Sequence, residues 1–151
     1  MRVEIDQSGK KIEKTHRETV LAFSNGTNAA VVIPAKVKKD CIRMLRKESW
    51  KEQTFIDQIF AAGVFLLLKT HLSQINSIVI DVEYPGREAN IKGMLLDLIG
   101  RTKKDFPKKN LTFTRITKHS RAHHKAYNVY KRFQKPDKVI TTQELLAVLG
   151  K

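Results

Sequence analysis

The residues of this chain that could do chemistry are a few acids set in apolar surroundings. It has 151 residues, with 15 Asp+Glu against 29 Lys+Arg, a formal net charge of +14. Asp6 closes the alternating stretch Arg2-Val3-Glu4-Ile5-Asp6, which predicts a strand with the acid at its outgoing end. Asp81 and Glu83 interrupt the apolar run Ile78-Val79-Ile80-Asp81-Val82-Glu83-Tyr84. Side chains two apart on a strand share a face, so these two acids point the same way. A buried acid is costly unless it is paired, hydrogen-bonded or bound to a cation. Three carboxylates gathered at adjacent strand ends would repel one another, and a divalent cation removes that conflict. Hard oxygen ligands suit Mg²⁺ or Mn²⁺. Either Asp81 or Glu83 could be the main ligand from this strand. The competing use of such acids is as solvated caps or ion-pair partners, and lysines are plentiful here. Glu88, opening the next helix, is favourable there against the helix dipole.

Histidine adds a further point. Three of the five fall within Lys118-His119-Ser120-Arg121-Ala122-His123-His124-Lys125-Ala126-Tyr127. Helical spacing places His123, Ala126, Tyr127 and Tyr130 on one face. Ala122 and Ala126 are small enough to let this helix approach a sheet closely, so His123 would face the strand ends. His16, His71, His119 and His124 read as surface residues.

These groups need elements to hold them. A three-strand antiparallel meander is predicted from the first strand, Thr19 to Ser24 and Ala29 to Ile33, with Asn25-Gly26 as a type I′ hairpin turn. Two helices follow. The first runs from about Ala35 to Lys47 with Val37, Cys41, Met44 and Leu45 on one face. The second starts near Ser49 with a Ser49/Glu52 capping box. It carries Phe55, Ile56, Ile59, Phe60, Val64, Leu67 and Leu68, with Ala61-Ala62-Gly63 as a small-residue face. It is apolar nearly all round and marks the central core helix, although Phe60 and Phe65 could as easily supply a homodimer surface. Ser77 to Tyr84 reads as a buried, parallel strand. A helix follows from Arg87 to about Gly100, with Ile91, Met94, Leu95, Leu98 and Ile99 inward. A strand from Leu111 to Thr117 and a helix from about Ser120 to Phe133 come next. A capping box at Thr141-Thr142-Gln143-Glu144 opens a last helix that Gly150 ends. The order βββ-αα-β-α-β-α-α predicts one α/β domain over residues 1–151, a mixed five-stranded sheet with helices on both faces.

This combination resembles the ribonuclease H-like superfamily. Ile5-Asp6-Gln7-Ser8-Gly9 is similar to the Asp-x-(Ser/Gly)-Gly opening of that family's first strand. Ile80-Asp81-Val82-Glu83 stands at its fourth-strand position. Ser120-Arg121-Ala122-His123-His124-Lys125-Ala126 resembles the Ala-Asp-x-x-Ala helix of RuvC-type Holliday junction resolvases, with His123 at the acidic position. The resemblance implies a two-metal phosphodiester hydrolase, in which two cations about 4 Å apart clamp the attacking and leaving oxygens. Asp6 would bridge them, Asp81 with Glu83 would hold one, and His123 would bind or orient near the other. Two departures stand out. Ribonuclease H proper has a glutamate on its first helix, whereas this helix is lysine-rich with Asp40 and Glu48 as its acids. Histidine also replaces the late carboxylate. A purely binding member of the superfamily therefore stays open beside the nuclease or resolvase. Resolvases of the family work as dimers, an analogy that bears on oligomeric state alone.

The charge points to a polyanionic partner, nucleic acid first, whether DNA or RNA. Lys10, the cluster Lys36, Lys38, Lys39, Arg43, Arg46 and Lys47, the cluster Arg101, Lys103, Lys104, Lys108 and Lys109, and Arg121, Lys125, Lys131, Arg132 and Lys135 are the candidate phosphate contacts. No zinc-finger, helix-turn-helix or RNP motif is present, so backbone or shape recognition is expected. An aromatic content of 7% is sparse for a base-stacking platform. The lone cysteine, Cys41, excludes an intrachain disulfide and a Cys-based zinc site. The first residues lack a signal-peptide core, and the apolar stretch Ile59 to Leu68 is about half a bilayer span, so a cytoplasmic protein without a membrane partner is expected. A small basic RNA- or ribosome-associated protein of unrelated α/β fold is the remaining alternative. It is distinguished by the Asp6–Asp81 separation, since carboxylates more than about 8 Å apart cannot share a metal.

Overall fold

The alternating N-terminus builds a longer strand than its first six residues predict. In the computed structural model, which describes residues 1–48 and 51–151, β1 spans Arg2–Gly9. Asp6 therefore lies inside the strand, paired with Ala22, and not at its end. β2 (Thr19–Asn25) and β3 (Thr27–Ile33) complete the antiparallel meander. The hairpin between them is tighter than a type I′ turn. Asn25 pairs with Thr27 across Gly26, and of the turn residues only Gly26 has positive φ, +76°. Type I′ needs positive φ at both central positions, which Asn25 does not supply.

Proline 34 ends β3 and leads into α1 (Ala35–Arg46). Helix α2 is described from Glu52 to Leu68; the Ser49/Glu52 capping box involves Ser49, which lies outside the described residues. β4 (Ser77–Asp81), α3 (Glu88–Gly100), β5 (Leu111–Thr114), α4 (Arg121–Tyr130), β6 (Lys138–Val139) and α5 (Thr142–Val148) follow. β4 is parallel to both β1 and β5, as its unbroken apolar character implies. It stops at Asp81, so Glu83 sits on the bend after the strand. β5 likewise stops at Thr114, three residues short of the prediction. Among the described residues the sheet has six strands, not five, in the order β5-β4-β1-β2-β3-β6. The extra strand has two residues, too short to show any alternation, and pairs in parallel with β3.

Period-2 alternation assigns the two faces. Val3, Ile5, Leu21, Phe23, Ile78 and Ile80 point into the main core, where α2 crosses β2 and β3 and α1, α3 and α5 pack around it. Gly63 is required there, since a Cβ would come within 2.8 Å of Ile33 Cδ1 and 3.0 Å of Leu21 Cδ1. Glu52–Gln74 is long and apolar enough to cross a membrane by length and composition, yet 78% of its apolar window is buried inside the fold. Phe60 and Phe65 are buried in the chain's own core, which takes up the surface considered for a dimer. Met44, predicted inward, is 41% exposed because the buried stripe of α1 runs through Val37, Lys38, Cys41, Ile42 and Leu45. The Thr141/Glu144 capping box is present with both of its hydrogen bonds.

The opposite face is covered by α4, which crosses β1, β2 and β3. Val20, Ala22, Ala30, Ala126 and Val129 form its small core. Ala22 pairs with both Asp6 and Ala30, so a row of small residues lies next to Asp6 where α4 descends. The buried stripe is Ala122, Ala126 and Val129; Tyr127, predicted on that face, is exposed.

Candidate metal centre

Asp6 from β1, Asp81 from the end of β4 and Glu83 from the following bend converge. Each offers a carboxylate oxygen within 4.8 Å of the other two. The register explains the first pair. Ile5 is the partner of Ile80, so the next residue on each parallel strand, an aspartate in both, projects from the face opposite the main core. Asp6 is almost fully buried under α4, while Asp81 and Glu83 are half-buried.

Hydrogen bonds hold each acid. Asp6 Oδ1 accepts from the Gln7 amide at 2.9 Å, and Asp6 Oδ2 lies 2.8 Å from His123 Nδ1. Asp81 Oδ1 accepts from the Ile116 amide at 2.6 Å. The segment carrying Glu83 is anchored by the next residue. The Tyr84 hydroxyl accepts from the Ile12 amide at 3.0 Å and donates to Gln7 Oε1 at 3.2 Å. Arg87 stacks over the Tyr84 ring at 4.9 Å and pairs with buried Asp57 at 2.7 Å.

Electrostatics record the crowding. Burial first, then hydrogen bonding to Asp81 and the charges of Asp81 and Asp6, push the Glu83 carboxyl up to about 9. Burial also raises Asp6, against the lowering effect of its His123 and Gln7 hydrogen bonds. Without a cation the cluster keeps its charge down by holding a proton on Glu83. The all-oxygen donor set is the type that Mg²⁺ or Mn²⁺ takes. His123 Nδ1 is engaged with Asp6, which makes His123 an orienting neighbour of the three-carboxylate cluster in this structure.

The basic residues divide by what they already bind. Arg121 and Lys125 lie on α4, on the carboxylate face. Lys36 and Arg43 pair with Asp40 on α1, which packs on the other face with Lys39. Lys104 and Lys10 are exposed on loops. Lys103 donates to the carbonyls of Leu72 and Ile75 at 3.1 and 2.6 Å, so it is occupied in bracing the turn before β4 rather than open to phosphate. Lys38, grouped with the surface lysines by sequence, is fully buried. Its ammonium donates to the carbonyls of Lys11 and Lys14 at 3.1 and 2.6 Å and to Thr19 Oγ1 at 3.0 Å, and burial lowers it to about 8. Lys38 and Tyr84 together pin the β1–β2 loop. Spacing gave no signal for either role, because the contacts span 19 to 72 residues. Cys41 is buried with its thiol pushed up to about 12, chiefly by burial and then by Asp40, and is chemically inert.

The chain matches no protein-family model, no curated protein and no solved structure.

Proposed function

We propose that this protein is a ribonuclease H-like, Mg²⁺- or Mn²⁺-dependent nuclease or resolvase that cleaves phosphodiesters in structured nucleic acid. The observation that carries this is the convergence of Asp6, Asp81 and Glu83 within 4.8 Å, with His123 hydrogen-bonded to Asp6, in a chain of net charge +14. The separation is well inside the limit of about 8 Å for sharing a cation, which weighs against an unrelated basic protein with scattered acids. The meander followed by two parallel strands, with the acids on central β1 and neighbouring β4, supports the family resemblance.

Asp6, Asp81 and Glu83 would hold the cation, with Glu83 losing its proton on binding. A divalent cation supplies Lewis acidity toward a phosphodiester and favours ionisation of water. His123 fixes the Asp6 carboxylate through Nδ1, and with a side chain 37% exposed it also reaches solvent. A second, non-catalytic nucleic-acid-binding reading on a degenerate version of the same fold draws support from Asp40. That acid of α1 is tied to Lys36, Arg43 and Thr142 and adds nothing to the cluster.

The test is cleavage of branched DNA, RNA/DNA hybrid and single strands with Mg²⁺ or Mn²⁺, beside calorimetric Mn²⁺ titration. Metal-dependent cleavage and about two bound Mn²⁺ ions are the result expected from the resemblance. Asp6→Asn and Asp81→Asn should each lower cleavage by about 100-fold or more, a loss of several kcal/mol in transition-state stabilisation. No cleavage of any substrate, with Mn²⁺ uptake unaffected by Asp6→Asn, would sink the nuclease reading. Tight nucleic-acid binding indifferent to EDTA and to Asp81→Asn would establish the second one.

A further inference from the structure

A polar groove lies beside the carboxylates on the same face of the sheet. It has a volume of about 220 Å³ and runs between α4 and the β2–β3 hairpin. Ser24 and Asn28 line it from the hairpin, and Arg121, His124, Lys125 and Asn128 line it from α4. The His124 ring centroid is 6.0 Å from that of His123, so the groove adjoins the residue that holds Asp6. Ser24 is only 7% exposed, and among the described residues its hydroxyl has no hydrogen-bond partner. Arg121 and Lys125 are one helical turn apart and, among the described residues, neither is paired with an acid. They differ in this from Lys36, Arg43 and Lys103, whose charges are already engaged.

Next to Gln134, which lines the groove, stands an exposed aromatic residue, Phe133. After α4 the chain reverses at Arg132, with φ +66°, a conformation that side chains other than glycine rarely adopt. The amides of Phe133 and Gln134 both donate to the Asn128 carbonyl, at 2.8 and 3.2 Å. Gln134 thereby completes the groove lining, and the neighbouring Phe133 is 73% exposed. An aromatic side chain left this exposed among Lys131, Arg132 and Lys135 is poorly placed for packing and well placed for stacking on a base. A base can use it only where it is unpaired, since duplex bases are already stacked on one another.

We propose that this groove holds an unpaired stretch of nucleic acid, with phosphates on Arg121 and Lys125 and a base on Phe133. The hydroxyl of Ser24 and the amides of Asn28 and Asn128 supply hydrogen bonds to sugar or base edges. The inference deepens the proposed function by naming the substrate feature presented to the carboxylates, and its last step, delivery to that centre, rests on the nuclease reading.

The test is fluorescence anisotropy in EDTA, using a labelled 12-mer as single-stranded DNA, single-stranded RNA and the corresponding duplexes. At least one single strand should bind about tenfold more tightly than its duplex, and Phe133→Ala should remove about that factor while Phe133→Tyr keeps it. The double variant Arg121→Ala/Lys125→Ala should weaken binding and reduce the salt slope by roughly 1.4 for single strands. Lys92→Ala, on α3 at the opposite face of the sheet, should change neither. Equal binding of duplex and single strand, an unaffected Phe133→Ala, or an equal loss in Lys92→Ala would overturn the proposal. Since EDTA removes cations, binding is read independently of cleavage. Single-strand preference without cleavage on adding Mn²⁺ supports the groove and overturns only the nuclease reading. Asp6-dependent cleavage without single-strand preference overturns only the groove.

Discussion

His123 Nδ1 lies 2.8 Å from Asp6 Oδ2, joining two residues 117 positions apart in the chain. The contact exists because Ala126 of α4 packs with Ala22 and Ala30 and Ala122 is fully buried beneath the helix, which lets α4 lie close beside β1. A metal-binding carboxylate held this way is fixed in orientation by its neighbour. His123→Ala should therefore lower Mn²⁺ affinity and cleavage by about 10- to 100-fold, with His123→Asn recovering part of the loss. Calorimetric titration paired with cleavage assays checks this. Unchanged Mn²⁺ affinity in His123→Ala would show that the hydrogen bond does not support the cluster.

The acid cluster makes a pH prediction. Glu83 titrates near 4.5 when unfolded and about 9 in the folded, cation-free protein. Between those values the folded state binds more protons than the unfolded state, so this group's stabilisation is complete below about 4.5 and is lost as pH rises through about 9. Lys38, lowered from 10.5 to about 8, acts oppositely above pH 8, so the effect is best read from pH 5 to 8. Relative to Glu83→Gln, the wild-type Tm should fall with rising pH in that window, and excess Mn²⁺ should flatten the difference. Thermal melts at several pH values with and without Mn²⁺ measure it; parallel curves for the two proteins would refute it.

Two neighbouring lysines on α1 should behave in opposite ways. Lys38→Met removes a buried ammonium that binds two carbonyls and a hydroxyl, and should cost about 2–3 kcal/mol. Lys39→Ala, on the exposed face, should stay within about 0.5 kcal/mol of wild type. Denaturant unfolding of both variants decides the matter, and equal stabilities would contradict the buried-lysine geometry.

Gly9 links the β1–β2 loop to α4. It has φ +80°, and an added Cβ would meet Glu18 O and the Tyr130 ring at 2.7 Å. Gly9→Ala should destabilise by about 1–3 kcal/mol through backbone strain, before any clash is counted. Because Tyr130 and His123 share α4, the displaced helix should also weaken Mn²⁺ binding. Chemical denaturation and Mn²⁺ titration of this one variant test both consequences; wild-type values in each would show that the site tolerates movement of this helix.

Much of the architecture was legible in the residues because it depends on local periodicity. Alternation at Arg2–Asp6, the apolar run Ile78–Tyr84, the nearly all-apolar α2 and the Thr141/Glu144 cap each state their element within a few positions. So do the type and spacing of Asp6, Asp81, Glu83 and His123 as candidate site residues. What local pattern cannot carry is register and long-range pairing. It did not show that Asp6 lies within β1, that Glu83 sits on a bend, or that a two-residue β6 extends the sheet. Nor could it separate Lys38, buried against loop carbonyls, from Lys39, one residue on and in solvent, since both stand in the same lysine-rich helix. Residue type and local periodicity set which acids and cations were available and on which kinds of element. Which of them meet followed from the assembled fold, because adjacent parallel strands place Asp6 beside Asp81 and small residues let α4 bring His123 to them.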